Sequence, residues 1–510
     1  MAWGKADLGT GERHHLAHHS ADVAAVLVAL LDLPVIRARA EAAAGRTLTA
    51  AEIACLGALA FLHDIGKLAT GFQAKAWQER RGITLRGHVQ CGWVWLSQGE
   101  AETALAGNAA LIGKWEGVEE WFRILFAHHG RPVPIPDPSW GGDAFAPRNG
   151  YDPKSQETVL GQALLTWFPD IRTHSPPRLT AEFAHFFCGL LALADWIGSD
   201  RRAFAFVAAF DTAYWDRAQD RARAQLAAIG LDCRAARLSA PVGWGLLSDH
   251  PAPRPAQAVV ADVPLSEPLV ILEAETGAGK TEAALWRFAR LYEAGLVDAL
   301  YFAVPTRAAA RQLQGRVNAA MHRMFAAPAP EAILAIPGQA LAGEAHGIRL
   351  PEFRMRWDDT EEARPARWAA EHATRFLAAQ IAVGTVDQVM LGGLMVKHAH
   401  LRGSALSRAL LVIDEVHASD AWMTEIQRSL VGAHLRLGGH AMLMSATLGA
   451  VARAAWRGEV LPDLPAAEAA PYPAVWTGAG CFPVVGEGGA GKAVRLSAHQ
   501  GWSGADAADL

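Results

Sequence analysis

The chain has 510 residues, of which 51% are apolar and 19% charged; this excludes a disordered protein and allows about two to four domains with cores of their own. A net charge of -5 excludes a globally basic nucleic-acid binder, so any affinity for phosphate must come from a local patch. Five cysteines without a CxxC pair exclude a disulfide framework, a zinc ribbon and an iron–sulfur cluster; with no apolar leader at the N-terminus, this predicts a cytoplasmic setting and no membrane partner.

Residues 1–235 predict an all-α domain, because Ala/Leu-rich segments broken by Gly and Pro replace the alternating runs of strands. Thr49-x-x-Glu52 has the form of a capping box, and the apolar spacing Leu56, Leu59, Leu62 carries that helix to His63. A second helix is predicted from Trp115 to His129, closed by Gly130 and Pro132, and a third from about Thr180 to Trp196. Residues 138–157 read as a Gly/Pro/Asp-rich surface loop, and 236–268 as a linker. Over 269–465, short apolar strands (LVILEAE, ALYFAVP, QIAVGT, ALLVIDE, HAMLMSAT) alternate with helical segments, the pattern of a parallel α/β sheet. Residues 466–510 read as a Pro/Gly/Ala-rich tail.

In FLHDIGKL, His63 and Asp64 set a nitrogen and an oxygen donor side by side, as a hydrolytic metal centre requires. His19, His88, His128, His129 and Asp195 complete the candidate set, with His18 a competitor of His19 and His88 the weakest member. Mixed nitrogen and oxygen donors suit Mn, Fe, Co, Ni or Zn better than Ca. The set exceeds what one ion takes, so two divalent ions bridged by a carboxylate are predicted, with Asp64 as the bridge. Lys67 is expected either to face a substrate phosphate as a catalytic point charge or to be a solvated surface lysine.

Ala274-Glu-Thr-Gly277-Ala-Gly279-Lys280-Thr281 follows a predicted strand and opens a helix, the context of a phosphate-binding loop for ATP with Mg²⁺. The glycines let backbone N–H groups approach phosphate, Lys280 reaches the β/γ oxygens, and the Thr281 hydroxyl can hold Mg²⁺. Asp414-Glu415 ends a second apolar strand, where Asp414 would hold Mg²⁺ and Glu415 would orient or deprotonate the attacking water. Thr306, Arg307 and Thr385 follow two more strands and suit the phosphates of a single strand. Gln257, in Pro-Arg-Pro-Ala-Gln, can pair with adenine as an amide does. Lys397, His398 and Arg402 either touch a strand or are solvated.

In the order GAGKT, VPTR, GTVDQ, DEVH and SAT, the second half resembles the first motor lobe of a superfamily 2 DExH helicase. Joined to an N-terminal HD domain, it resembles the helicase-nucleases of type I CRISPR systems. The resemblance implies a multidomain chain, an all-α HD-type domain followed by an α/β RecA-like lobe. It also implies single-stranded DNA as substrate, 3′ to 5′ movement with ATP, and recruitment by a guide-RNA surveillance complex. The family's metal ligands fall on the seven donors named above, and its coupling residues on Ser445 and Thr447. Its second motor lobe has no counterpart, since 466–510 is far shorter than the ~150 residues such a lobe takes; a separate chain would supply it, or the sequence is a fragment. Two other readings stand beside this one: an HD phosphohydrolase of nucleotides with a regulatory ATPase domain, and a truncated, non-catalytic strand-binding module.

Overall fold

The computed structural model describes residues 1–98, 104–134, 143–349, 355–358 and 365–485. The N-terminal domain is built on the Leu16–Leu31 helix, whose Leu, Val and Ala side chains are almost all fully buried. Each buried Val or Leu contributes ~1.5–3 kcal/mol relative to exposure, which makes this helix the domain's hub. Around it pack helices Ala50–Phe61, Ala181–Gly198 and Tyr214–Ala228. The domain is helical as expected, with one addition: Trp3–Ala6 and Arg13–His15 form a small antiparallel pair that covers the N-terminal end of the hub helix.

Thr49 and Glu52 form the expected capping box, but the helix stops at Phe61, so His63 and Asp64 lie on the turn beyond it. The second expected helix is shorter, Val118–Phe126, because Gly117 adopts the left-handed conformation at its start. The third runs Ala181–Gly198, capped by Thr180. The predicted loop at 138–157 is corrected in its second half: Asp152 accepts from the Lys154 and Ser155 amides and starts a helix over Pro153–Trp167. Residues 138–142 of that expected loop lie outside the described residues. By length and composition Ala181–Gly198 could cross a membrane, yet 72% of it is buried inside the protein, where it serves as a core helix.

All five expected strands form. With a sixth strand that was not expected, 332–335, they form the parallel centre of a mixed sheet ordered 269–273, 440–445, 409–413, 299–304, 381–385, 332–335. Antiparallel strands flank this centre on both sides, so the sheet is not purely parallel. The 236–268 segment is more than a linker: helix Pro255–Asp262 packs on the Lys280–Glu293 helix behind the phosphate loop. The tail is likewise corrected, since Ala474–Thr477 pairs antiparallel with Leu269–Glu273 and returns through Gly480–Pro483. Two short segments among Pro and Gly carry too little periodicity to read as strands. Residues 486–510 lie outside the described residues.

The two domains share one core. Helix Ala399–Leu406 of the sheet domain lies on Ala181–Gly198, close enough that a Cβ on Gly189 would come 2.1 Å from the Ser404 Oγ. Ser404 Oγ donates to the Phe186 carbonyl at 3.0 Å, and Arg39 donates to the carbonyls of Ser407 and Leu296.

Candidate metal centre and nucleotide site

Five separate segments deliver the seven predicted donors to one place. The hub helix carries His19, and the turn after Phe61 carries His63 and Asp64. His88 opens the His88–Gln98 helix, which can approach only because residue 66 is glycine: a Cβ there would sit 1.8 Å from the His88 carbonyl oxygen. His128 and His129 follow the Val118–Phe126 helix, and Asp195 lies near the end of Ala181–Gly198.

The donors fall into two groups, His19/His63/Asp64/Asp195 and His88/His128/His129, the donor atoms within each lying within 4.8 Å of one another. Asp64 faces both. Its Oδ2 lies 3.0 Å from His19 Nε2 and 3.2 Å from His63 Nε2; its Oδ1 lies 3.1 Å from His88 Nε2 and 3.9 Å from His128 Nε2. His88 and His129 meet through their Nε2 atoms at 2.8 Å.

The chemistry of the donors fits metal ions. Nδ1 of His63 donates to the Ala60 carbonyl at 2.7 Å and Nδ1 of His128 to that of Leu125, so the proton is fixed on Nδ1 and Nε2 points into the cluster. His63 Nε2, His128 Nε2 and Asp64 Oδ1 are buried and make no hydrogen bond, an arrangement that is costly unless a further group occupies the cluster. Burial holds His19 and His88 well below the usual imidazole range and takes His128 down to about 3, leaving them as neutral donors. Burial also opposes charge on His63, but Asp64 and Asp195 outweigh it and raise His63 to about 9. Against burial, Lys67 and His63 hold the Asp64 carboxyl well below its usual range, and His63 and Lys5 do the same for Asp195.

Two expectations are sharpened. His18 is no competitor, since Nδ1 donates to the Val207 carbonyl and Nε2 accepts from the Asp211 amide, both away from the cluster. Lys67 is not a solvated lysine: it is buried, donates to the Gly4 carbonyl at 2.9 Å and pairs with Asp64. A cleft of about 1090 Å³ opens at His129 and Asp195 between Lys5, Arg201 and Arg202 on one side and His372 and Arg375 on the other. Asp200 and Glu371 line it too, paired with Arg202 and Arg375, and no motif marks these residues, which converge through the packing of the two domains.

In the second domain the phosphate loop, Asp414 and Ser445 meet at the carboxyl ends of three adjacent strands, 269–273, 440–445 and 409–413. Gly277 and Gly279 have φ of +89° and +82°, and Lys280 donates to the Ala274 carbonyl at 3.1 Å while lying 3.7 Å from Glu415. Thr281 follows in the first turn of the helix. Gln257 is buried over the loop and donates to the Gly279 carbonyl at 3.2 Å, so its amide currently braces the loop. Burial, then the neighbouring Glu415, raises the Asp414 carboxyl.

Sequence reading missed His417, whose Nδ1 lies 2.9 Å from Ser445 Oγ and 3.3 Å from Glu415; its place in DEVH was the available signal. The Thr447 amide donates to Ser445 Oγ at 3.0 Å. Thr306 and Arg307 are exposed at the strand ends, but the Thr306 hydroxyl caps the following helix by accepting from Ala309 at 3.1 Å. Thr385 is buried, contrary to a side-chain contact with a strand, because it closes the sheet beside Val304. His398 and Arg402 are buried rather than solvated.

Residues 3–204 match the family model described as Cas3, HD domain, and residues 254–454 match DEAD/DEAH box helicase. The chain carries a Cas3 HD domain and a DEAD/DEAH box helicase domain. It is similar to the CRISPR-associated endonuclease/helicase Cas3 of Escherichia coli (strain K12), 28% identical over 88% of this chain and 54% of that protein. To the protein of the same description from Thermus thermophilus it is 30% identical, over 91% of this chain and 51% of the relative. A crystal structure of T. fusca Cas3 superposes with a TM-score of 0.71 at 25% identity, covering 93% of this chain and 54% of the other. The chain thus spans about half the length of the relatives it matches.

Proposed function

We propose that the chain is a metal-dependent nuclease for single-stranded DNA, joined to the first lobe of an ATP-dependent 3′ to 5′ DNA translocase of CRISPR antiviral defence. The observation that carries the reading is the pair of donor groups facing opposite oxygens of Asp64. His19, His63, Asp64 and Asp195 would hold one divalent ion and His88, His128 and His129, with Asp64, a second, drawn from Mn, Fe, Co and Ni. Such a pair supplies activation of water and stabilisation of the leaving oxygen of a phosphodiester. Lys67 holds Asp64 in place and ionised from inside the fold. The cleft beside His129 and Asp195 gives a strand a way to the centre; its arginines are paired with carboxylates, Arg201 with Asp7 and Glu12, Arg202 with Asp200 and Arg375 with Glu371, and would have to exchange these partners for phosphates.

In the helicase domain, Lys280, Thr281 and the loop amides would bind ATP with Mg²⁺, Asp414 would hold the Mg²⁺, Glu415 would orient water, and Gln257 would read adenine. The Glu415–His417–Ser445–Thr447 chain of contacts supports coupling of hydrolysis to strand movement. ATP in such motors is held between two lobes, so turnover depends on a second lobe, in a separate chain or a longer one. A guide-RNA surveillance complex is the proposed recruiting partner, in the cytoplasm.

The test is nicking of circular single-stranded DNA with Mn²⁺, Co²⁺ or Ni²⁺ by the parent chain, Asp64→Ala and Lys280→Ala. Nicking is expected to disappear in Asp64→Ala and persist in Lys280→Ala. Hydrolysis of free nucleotides with no DNA cleavage under any metal would overturn the proposal.

A further inference from the structure

His129 is the least supported of the seven donors. It is exposed, sits on an irregular turn after Phe126, and its Nε2 meets only His88. What closes the far side of that turn comes from the helicase domain. The His398 amide donates to the Gly130 carbonyl at 3.3 Å, and the His398 ring packs edge-on against Trp196, centroids 5.5 Å apart, next to the ligand Asp195. The fit leaves no slack: a Cβ on Gly130, whose φ is +89°, would lie 2.6 Å from the His398 nitrogen and 2.7 Å from its Nδ1.

His398 itself adopts φ 63°, ψ 25°, a left-handed conformation uncommon outside glycine, although His, like Asn and Asp, enters it more readily than most side chains. Its ring is buried, and its Nδ1 has no hydrogen-bond partner among the described residues. Backbone strain and an unsatisfied buried nitrogen persist only where the surroundings over-determine them. The surroundings here are rigid: His398 caps the Ala399–Leu406 helix, which Ser404 fastens to the helix carrying Asp195.

We infer that His398 is a positioning residue for the metal centre: through Gly130 and Trp196 it holds His129 against His88, so that the helicase domain completes the second donor group. The inference rests on the proposed metal centre. It predicts a defect confined to one of two ions, which a general loosening of the fold would not give. Glycine at 398 keeps the left-handed backbone and removes the ring; asparagine keeps the backbone and part of the side chain.

The test is titration of metal-free protein with Mn²⁺, counting tightly bound ions. The parent is expected to bind two. His398→Gly should keep one at parent affinity and weaken the other roughly 10- to 100-fold, the size of effect seen when a group supporting a ligand is removed. His398→Asn should fall between, and Gly130→Ala, which pushes from the nuclease side, should weaken the same ion. Nicking by His398→Gly should need more Mn²⁺ yet approach the parent rate at saturation; loss of the buried ring lowers the melting temperature of the metal-free protein, so the split between the two ions, not stability, is the readout. Two ions bound by His398→Gly as tightly as by the parent, or both weakened equally, would overturn the inference and leave the metal centre standing. Absence of Mn²⁺ binding by the parent chain would overturn both.

Discussion

Asp64→Asn is the most informative single change. The side chain keeps its shape, but one oxygen becomes an NH₂ group that can only donate, so one donor group loses its shared ligand outright and the other keeps a neutral oxygen. Removing a group that merely supports a ligand costs 10- to 100-fold in metal affinity, so losing an oxygen that faces His19 and His63 at 3.0 and 3.2 Å, or His88 at 3.1 Å, sets a floor of about 100-fold for the ion on that side, while the other ion exchanges an anionic for a neutral oxygen. If that exchange weakens the other ion as much, the doubly loaded state becomes ~10⁴-fold rarer, or about 5–6 kcal/mol at 1.4 kcal/mol per decade. Nicking at micromolar Mn²⁺ should fall below detection. The same change leaves Lys67 buried without its carboxylate, which destabilises the metal-free protein by about 3–5 kcal/mol. Asp64→Asn/Lys67→Met should therefore regain stability and no metal. Calorimetric titration with Mn²⁺, paired with urea unfolding, separates the two effects. Retention of both ions at parent affinity by Asp64→Asn would refute the shared-carboxylate geometry.

Gly279→Ala should weaken ATP binding by about 30- to 100-fold in a fluorescent-nucleotide titration, since a side chain at φ +82° costs ~1–2 kcal/mol and its Cβ would lie 2.1 Å from the Gln257 amide nitrogen, which now donates to the loop; metal binding in the HD domain should not change. Glu52→Gln tests the helix that delivers His63 and Asp64. Hydrogen bonding to Arg46 lowers the Glu52 carboxyl to about 2, so its stabilising effect is complete above the unfolded value near 4.5 and fades as pH falls toward 2. Because Arg46 is half exposed, that effect is discounted to ~1 kcal/mol, measured as the difference in urea midpoint between parent and variant. A difference as large at pH 3 as at pH 7 would assign the effect to packing instead.

The legible parts of this molecule were those where chemistry and local pattern coincide. HDIGK and GAGKT announce themselves because metal and phosphate each demand particular atoms at fixed spacing, and the five apolar strands could be read because buried parallel strands need unbroken hydrophobic runs. Other features are properties of packing. The short strands at 474–477 and 480–483 exist because the edge of Leu269–Glu273 needs a hydrogen-bonding partner, which their own sequence does not reveal. Thr385 looked like a strand contact, yet its neighbours bury it; Lys67 read as a charge facing a substrate phosphate or solvent, yet Gly4 and Asp64 take its ammonium. The choice of His19 over His18 turns on which way adjacent side chains of one helix point, and the partners that settle it, Val207 and Asp211, are far away in the chain.

The helix Ala181–Gly198 reaches Asp195 at one end and rests on Ala399–Leu406 along its side. A donor cluster mounted in this way does not swing on a tether: helix packing fixes its station relative to the phosphate loop. If the proposed function holds, the spacing of cuts along a moving strand would be governed by how the strand is fed, as a fixed blade cuts at intervals set by the cloth. Producing residues 1–235 without the sheet domain would strip the cover from that helix and leave an apolar stripe inviting self-association.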